Sequence, residues 1–211
     1  PESIKLAYLP SYGMVRLRLT TKAEFHEKIR QDMDFAFEEL KKLTAEYLVT
    51  SNDLQMQEVV AEILTLQNKT LATAESCTGG YIAHLLTSIP GSSKFFNGSV
   101  VSYTNQAKEK LLQVQSSTIQ QLGAVSENTV KEMLLGALKQ LDSNYAIAVS
   151  GIMGPDGGTD EKPVGTVWVA VGNSQKIITQ KFHFRFNRLQ NIHLTALNAL
   201  NLLRKFLLEN N

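Results

Sequence analysis

The sequence predicts an α/β protein: a three-layer α/β/α sandwich with a mixed sheet, preceded by a small α+β unit. Three observations carry this. From Thr70 onward, short apolar runs of strand length alternate with segments of helical periodicity. Several of those runs are apolar on both faces, as strands are when helices cover the sheet on both sides. The first fifty residues follow a different pattern, with two strands and then one long amphipathic helix. Thr50-Ser-Asn-Asp53 is a polar break with cap chemistry, which places the units at residues 1–50 and 54–211.

In the first unit, Ile4–Leu9 and Met14–Thr20 are the expected strands, with Ser11-Tyr12-Gly13 as the turn. Met14–Thr20 alternates apolar and basic residues, the period-two pattern of a half-buried strand. A helix is expected from about Lys22 to Leu43, because Phe25, Ile29, Met33, Phe37 and Leu40 form one apolar stripe. Tyr47–Val49 is expected as a third strand.

In the second unit, Met56, Val59, Val60, Ile63 and Leu64 mark a helix leading into the strand Thr70–Ala74. The expected order continues with helix Thr78–Ile89, strand Gly98–Tyr103 and helix Asn105–Leu112. A helix capped by Ser126 follows, with Val130, Met133, Leu134, Ala137, Leu138 and Leu141 inward. Strands Tyr145–Val149, Val164–Val171 and Lys176–Phe184 then precede a leucine-rich helix, Leu189–Leu208.

Composition narrows the function classes. The 211 residues are 43% hydrophobic and include only 13 Gly and 5 Pro, which excludes a disordered chain. No run approaches the ~18 consecutive apolar residues of a membrane span. The formal charge is +1, so bulk charge offers no hold on a polyanion and nucleic acid is not the expected partner. The single cysteine, Cys77, excludes an internal disulfide and a Cys-based zinc site. His26, His84, His183 and His193 share no metal-ligand spacing. The expectation is a cytoplasmic protein without metal or cofactor. A chain that opens on Pro1, with a strand at once and no leader, reads as a piece of a longer protein.

Three segments combine small and polar residues with strand ends. Thr73-Ala-Glu-Ser-Cys-Thr-Gly-Gly80 closes a strand and opens a helix, which puts Ser76 on the turn. The amides of Cys77, Thr78, Gly79 and Gly80 then lie near a helix N-terminus. A hydroxyl beside such amides has the parts of a nucleophile and an oxyanion hole; a helix cap with close-packing glycines accounts for the same letters. In Ser102-Tyr-Thr-Asn-Gln-Ala-Lys108, Thr104 is the expected cap and Lys108 lies in the first turn. There the helix dipole favours a neutral amine, which suits a general base toward serine; a solvated Lys beside Glu109 and Lys110 is the alternative. Ser150–Thr159 and Lys162–Trp168 form a glycine-rich loop between strands that matches neither nucleotide fingerprint. It reads either as a ligand-binding loop or as a long hairpin connection.

Taken together, TAESCTGG, IPGSSKFFNGSVVSYTNQAK, GAVSE and AVSGIMGPDGGTDEKPVGTVW resemble the C-terminal domain of CinA, the competence-damage-inducible protein. That domain is similar to the nicotinamide-nucleotide amidase PncC. The resemblance covers residues 54–211, and LAYLPSYGMVRLRLT resembles the end of the KH-like module that precedes the domain. It implies metal-free hydrolysis of the carboxamide of nicotinamide mononucleotide, with Ser76 as nucleophile, Lys108 as general base and Tyr103 bonding Ser76 or relaying its proton. Amides around Thr78 and Gly79 would form the oxyanion hole. Asn105, Asp156, Gly157, Gly158 and Thr166 are candidates for holding the ribose phosphate, with Arg188 at the start of the last helix, and Gly154 is a further substrate-binding candidate. The sequence departs from the family at Met153, where a small residue is usual, and in lacking an Asp-Arg pair at that helix start. A homodimer or higher homo-oligomer is expected. The competing reading is a pyridine-nucleotide-binding or nucleic-acid-linked regulatory domain without turnover; the front unit lacks the GXXG clamp of nucleic-acid-binding KH modules.

Overall fold

The computed structural model describes residues 3–24 and 26–210. The chain forms two compact units, Pro1–Leu54 and Gln55–Asn211. In the first, β1 (Ile4–Ser11) and β2 (Met14–Thr21) form an antiparallel hairpin with Ser11 opposite Met14. The connection is Tyr12-Gly13, and Gly13 takes the left-handed φ of 81° that a tight hairpin turn needs. Helix α1 spans Glu27–Leu43 and starts later than the stripe predicts, because His26 caps it by accepting the Ile29 amide. Of the stripe, Ile29 is buried and Phe37 is exposed, while Phe25 lies outside the described residues. The expected strand at Tyr47–Val49 is absent. The amides of Tyr47 and Leu48 both turn back to the Thr44 carbonyl, so they are not free for a ladder.

The second unit is built on a five-stranded mixed sheet ordered β4-β3-β5-β6-β7. Its strands are β3 (Leu71–Glu75), β4 (Phe96–Val101), β5 (Tyr145–Gly151), β6 (Thr166–Gly172) and β7 (Ile177–His183). β3 pairs parallel with β4 and β5, while β6 runs antiparallel to both β5 and β7. One helical layer comprises α4 (Asn105–Leu112), α5 (Ser116–Leu122) and α6 (Glu127–Gln140). The other comprises α2 (Met56–Leu66), α3 (Tyr81–Thr87) and α7 (Arg188–Glu209). This is the expected sandwich. The sequence reading missed α5, which buries only Ile119 and so shows no apolar stripe.

Alternation along the strands explains the layers. Ala72, Ala74, Ala146, Ala148 and Ala170 pack with Val130, Met133, Leu134 and Ala137 of α6, and their small side chains let that helix lie close to the sheet. Gly136 extends the close packing outward, since a Cβ there would sit 2.1 Å from the Leu112 carbonyl oxygen at the end of α4. The chain leaves β3 through α3 to reach β4 on one side, then returns through α4–α6 to β5 on the other. Strand order therefore reverses at β3, and the crevice such a reversal opens lies at the carboxyl ends of the parallel strands.

Candidate active site

A cavity of about 220 Å³ occupies that crevice. Ser76 and Cys77 reach it from the end of β3, Tyr103, Asn105 and Lys108 from beyond β4, and Met153 and Arg188 from the opposite wall. Residues separated by more than a hundred positions meet here because each follows a strand end or opens a helix. Thr104 caps α4 by accepting the Ala107 amide at 3.1 Å, which fixes the first turn and so the direction of Lys108.

Lys108 is 2% exposed, and its Nζ donates to Ser76 Oγ at 2.8 Å and to the Ser102 carbonyl at 2.9 Å. Among the described residues no carboxylate pairs with it. Burial pushes its pKa below the ordinary value of 10.5, because the charged ammonium is the form that loses solvation. The opposing influence is the charge of a Cys77 thiolate. That thiol is itself pushed up to about 12 by burial, so near neutral pH it carries no charge and does not oppose the loss of Lys108's proton.

The turn that carries Ser76 is held from below by a residue to which the sequence reading assigned no role. Glu75 is fully buried at the end of β3. Its Oε2 accepts from the Thr78 hydroxyl at 2.6 Å and from the amides of Gly80 at 3.1 Å and Ile82 at 3.0 Å. Oε1 accepts from the Ala83 amide at 2.8 Å and, at longer range, from the hydroxyls of Thr73 and Ser99. The signal in the sequence was a carboxylate ending a strand of otherwise buried residues, which must find donors or be expelled.

This arrangement corrects the expected oxyanion hole. The Gly80 amide is taken by Glu75, and the Gly79 amide donates to the Ser76 carbonyl at 3.1 Å. The amides of Cys77 and Thr78 remain; among the described residues neither donates to a protein oxygen. Gly79 and Gly80, with φ of 62° and 98°, serve the backbone path of the turn.

Tyr103 also differs from expectation. Its hydroxyl accepts from Arg188 Nη2 at 2.8 Å, and it has no hydrogen bond to Ser76 among the described residues. Arg188 Nη1 donates to the Gly154 carbonyl at 2.8 Å, so the guanidinium is held by two neutral acceptors at the cavity edge. Asn191 sets that edge: its amide group donates to the Met153 and Phe186 carbonyls, and its oxygen accepts the Phe186 amide. Arg188 brings a positive charge to the lining, which holds no carboxylate, so the cavity edge suits an anionic group of a ligand.

Asp156, Gly157, Gly158 and Thr166 do not reach the cavity. The loop carrying the first three folds on itself through Thr159 and Lys162, and Lys162 Nζ ties it to the Leu122 carbonyl. Thr166 is buried within β6, its amide on Pro163 and its carbonyl holding the Ile152 amide. Glycine and aspartate supply turn geometry here, which is the hairpin alternative left open by the sequence. Met153 is buried and forms part of the wall.

Residues 53–207 match the family described as the CinA C-terminal domain. A CinA-like protein of Cytophaga hutchinsonii is 43% identical over 209 residues, 99% of this chain and 50% of that protein. A CinA-like protein of Thermotoga neapolitana is 44% identical over 195 residues, 92% of this chain and 47% of that one. The chain thus spans about half the length of these relatives. Among solved structures, a CinA superfamily protein from Klebsiella pneumoniae superposes with a TM-score of 0.71 at 35% identity, covering 74% of this chain and 99% of the other. A competence/damage-inducible protein from Agrobacterium tumefaciens gives 0.67 at 37% identity, covering 73% and 97%.

Proposed function

The chain belongs to the family of CinA C-terminal domains, and from that premise we propose that it is a nicotinamide-nucleotide amidase working through a Ser/Lys pair. The observation that carries the reading is the buried Lys108 amine, 2.8 Å from Ser76 Oγ and without an acidic partner among the described residues. A desolvated amine is the form able to accept a proton from a hydroxyl.

In the first step Ser76 Oγ attacks the carboxamide carbon of nicotinamide mononucleotide while Lys108 Nζ takes the hydroxyl proton. The negative charge on the amide oxygen falls to the amides of Cys77 and Thr78, which donate to no protein oxygen among the described residues. Lys108 then returns the proton to the departing nitrogen, the C–N bond breaks, and ammonia leaves an ester on Ser76. Water, deprotonated by the same amine, attacks that ester. Collapse releases the carboxylate of nicotinate mononucleotide and restores the serine hydroxyl. The phosphate of the substrate is assigned to Arg188, whose fork suits phosphate oxygens, with Asn105 beside it.

The test is ammonia release from nicotinamide mononucleotide, with and without a chelator, in the wild type and in Ser76→Ala. Turnover that survives the chelator and disappears in Ser76→Ala supports the reading. Absence of turnover by the wild type, with the nucleotide still bound, would favour a sensing role instead.

A further inference from the structure

We propose that Glu75 is a positioning residue of the active site: its buried carboxylate fixes the 76–80 turn and thereby selects which amides are left to receive the substrate's oxygen. The proposal rests on the Ser76 nucleophile assigned above. It starts from a selective allocation of donors. A carboxylate accepts hydrogen bonds through two oxygens, and here Gly80, Ile82 and Ala83 give their amides to it, while Thr78 gives its hydroxyl at 2.6 Å. The amides of Cys77 and Thr78, which lie earlier in the turn, are the ones not drawn inward among the described residues.

Two further contacts, both through the backbone, place the nucleophile and its base at the same strand end. The Glu75 carbonyl accepts the Ser102 amide at 2.8 Å, and the Ser102 carbonyl is the second acceptor of Lys108 Nζ. The Ser76 amide donates to the Val149 carbonyl at 3.1 Å, extending the β3–β5 ladder by one residue. Ser76 and Lys108 are therefore registered against the same strand end that Glu75 anchors. If its side chain lets go, the turn can move while the ladder stays. That carries the Cys77 and Thr78 amides away from the position of the substrate's oxygen and lets them find other acceptors, while the backbone of Ser76 keeps its place in the ladder. Displacement of about 1 Å at reacting atoms is enough for a roughly hundredfold loss of rate.

Glu75→Gln tests this with little change of shape. With the Gln oxygen facing Thr78, Gly80 and Ile82, its NH₂ group faces Ala83. The hydroxyls of Thr73 and Ser99 can turn round to accept from that group, whereas the Ala83 amide cannot. The readout is the rate at which a serine-directed fluorophosphonate labels Ser76, measured on fully folded protein as judged by near-ultraviolet circular dichroism. Nicotinamide mononucleotide turnover is followed in parallel. The expected result is a fall in labelling of at least about tenfold, with the pH midpoint of labelling unchanged because Lys108 remains buried. Thr78→Val removes one arm of the network and is expected to slow labelling as well, with Thr78→Ser restoring it; this pair decides the matter should Glu75→Gln not fold.

A lowered melting temperature with undiminished labelling of the folded protein would make Glu75 purely structural and overturn the proposal. Wild-type protein that is labelled at Ser76 yet releases no ammonia would overturn the amidase reading while leaving the role of Glu75 open to the same measurement. Wild-type protein that is not labelled at Ser76 would overturn both.

Discussion

Replacing Lys108 with methionine separates the chemistry of the amine from the packing of its stem, because the two side chains are similar in length and shape. The variant loses both donations of Nζ, to Ser76 Oγ and to the Ser102 carbonyl. Ser76 Oγ lines the cavity and can turn to water, but the Ser102 carbonyl is left without that donor, at a cost of about 1–3 kcal/mol. The loss of a general base is far larger in rate than in stability. It is expected to lower turnover by roughly 10²–10⁴, which is about 3–5 kcal/mol on the barrier.

The pH dependence gives an independent sign. Lys108 has a folded pKa below its ordinary 10.5, so between the two values the unfolded chain binds more protons than the folded one. Wild-type stability therefore rises with pH across that window and levels off above about 10.5. The variant lacks this component, so its deficit shrinks as pH falls. Turnover of the wild type should rise with pH through the lowered pKa and reach its plateau below the ordinary lysine value. The assay pairs ammonia release with urea denaturation across a pH series for both proteins. Turnover within tenfold of wild type in Lys108→Met, or identical pH slopes of stability for the two proteins, would refute the reasoning.

Three further outcomes follow from the same geometry. Arg188→Ala should weaken binding of the phosphorylated substrate by about 10–100-fold, consistent with loss of a charge-assisted hydrogen bond. It should raise KM more than it lowers kcat, and Arg188→Lys should restore little because it lacks the two-pronged hold on Gly154 and Tyr103; steady-state kinetics check this. Cys77, buried and with its pKa pushed up to about 12, should resist thiol reagents at pH 8 in the folded protein and react on denaturation, as a colorimetric thiol titration would show. Gly136→Ala should destabilise by about 1–3 kcal/mol or more, because the new methyl meets the Leu112 backbone at 2.1 Å. Denaturation measures that loss, and turnover should fall as well, since α4 carries Lys108.

Several local features were legible in the sequence because their causes are local. Thr104 and Ser126 cap helices in the structure through the side-chain oxygens that make such residues recognisable. Ala72, Ala74, Ala146 and Ala148 lie in runs whose apolar character on both faces requires cover on both sides. Ser76 was readable as a hydroxyl at a strand-to-helix turn, and Lys108 as an amine in the first turn of a helix. Elsewhere the local signal was too weak, as in α5 with one buried residue, or it was misleading, as at Tyr47–Val49. The glycines and aspartate of the 154–158 loop were also ambiguous, because turn geometry and ligand approach call for the same small residues.

What tertiary structure decided was contact and solvation. No periodicity brings residue 108 within 2.8 Å of residue 76, and no motif removes water from the amine that results. Those follow from the reversal of strand order at β3 and from α4 packing against α6 across Gly136. The same holds for the donors of the turn. Four consecutive residues offer amides in the sequence, but the buried Glu75 carboxylate and the Ser76 carbonyl take those of Gly80 and Gly79. Sequence fixes which groups are available. Only packing in three dimensions fixes which of them are already satisfied and which remain free to act.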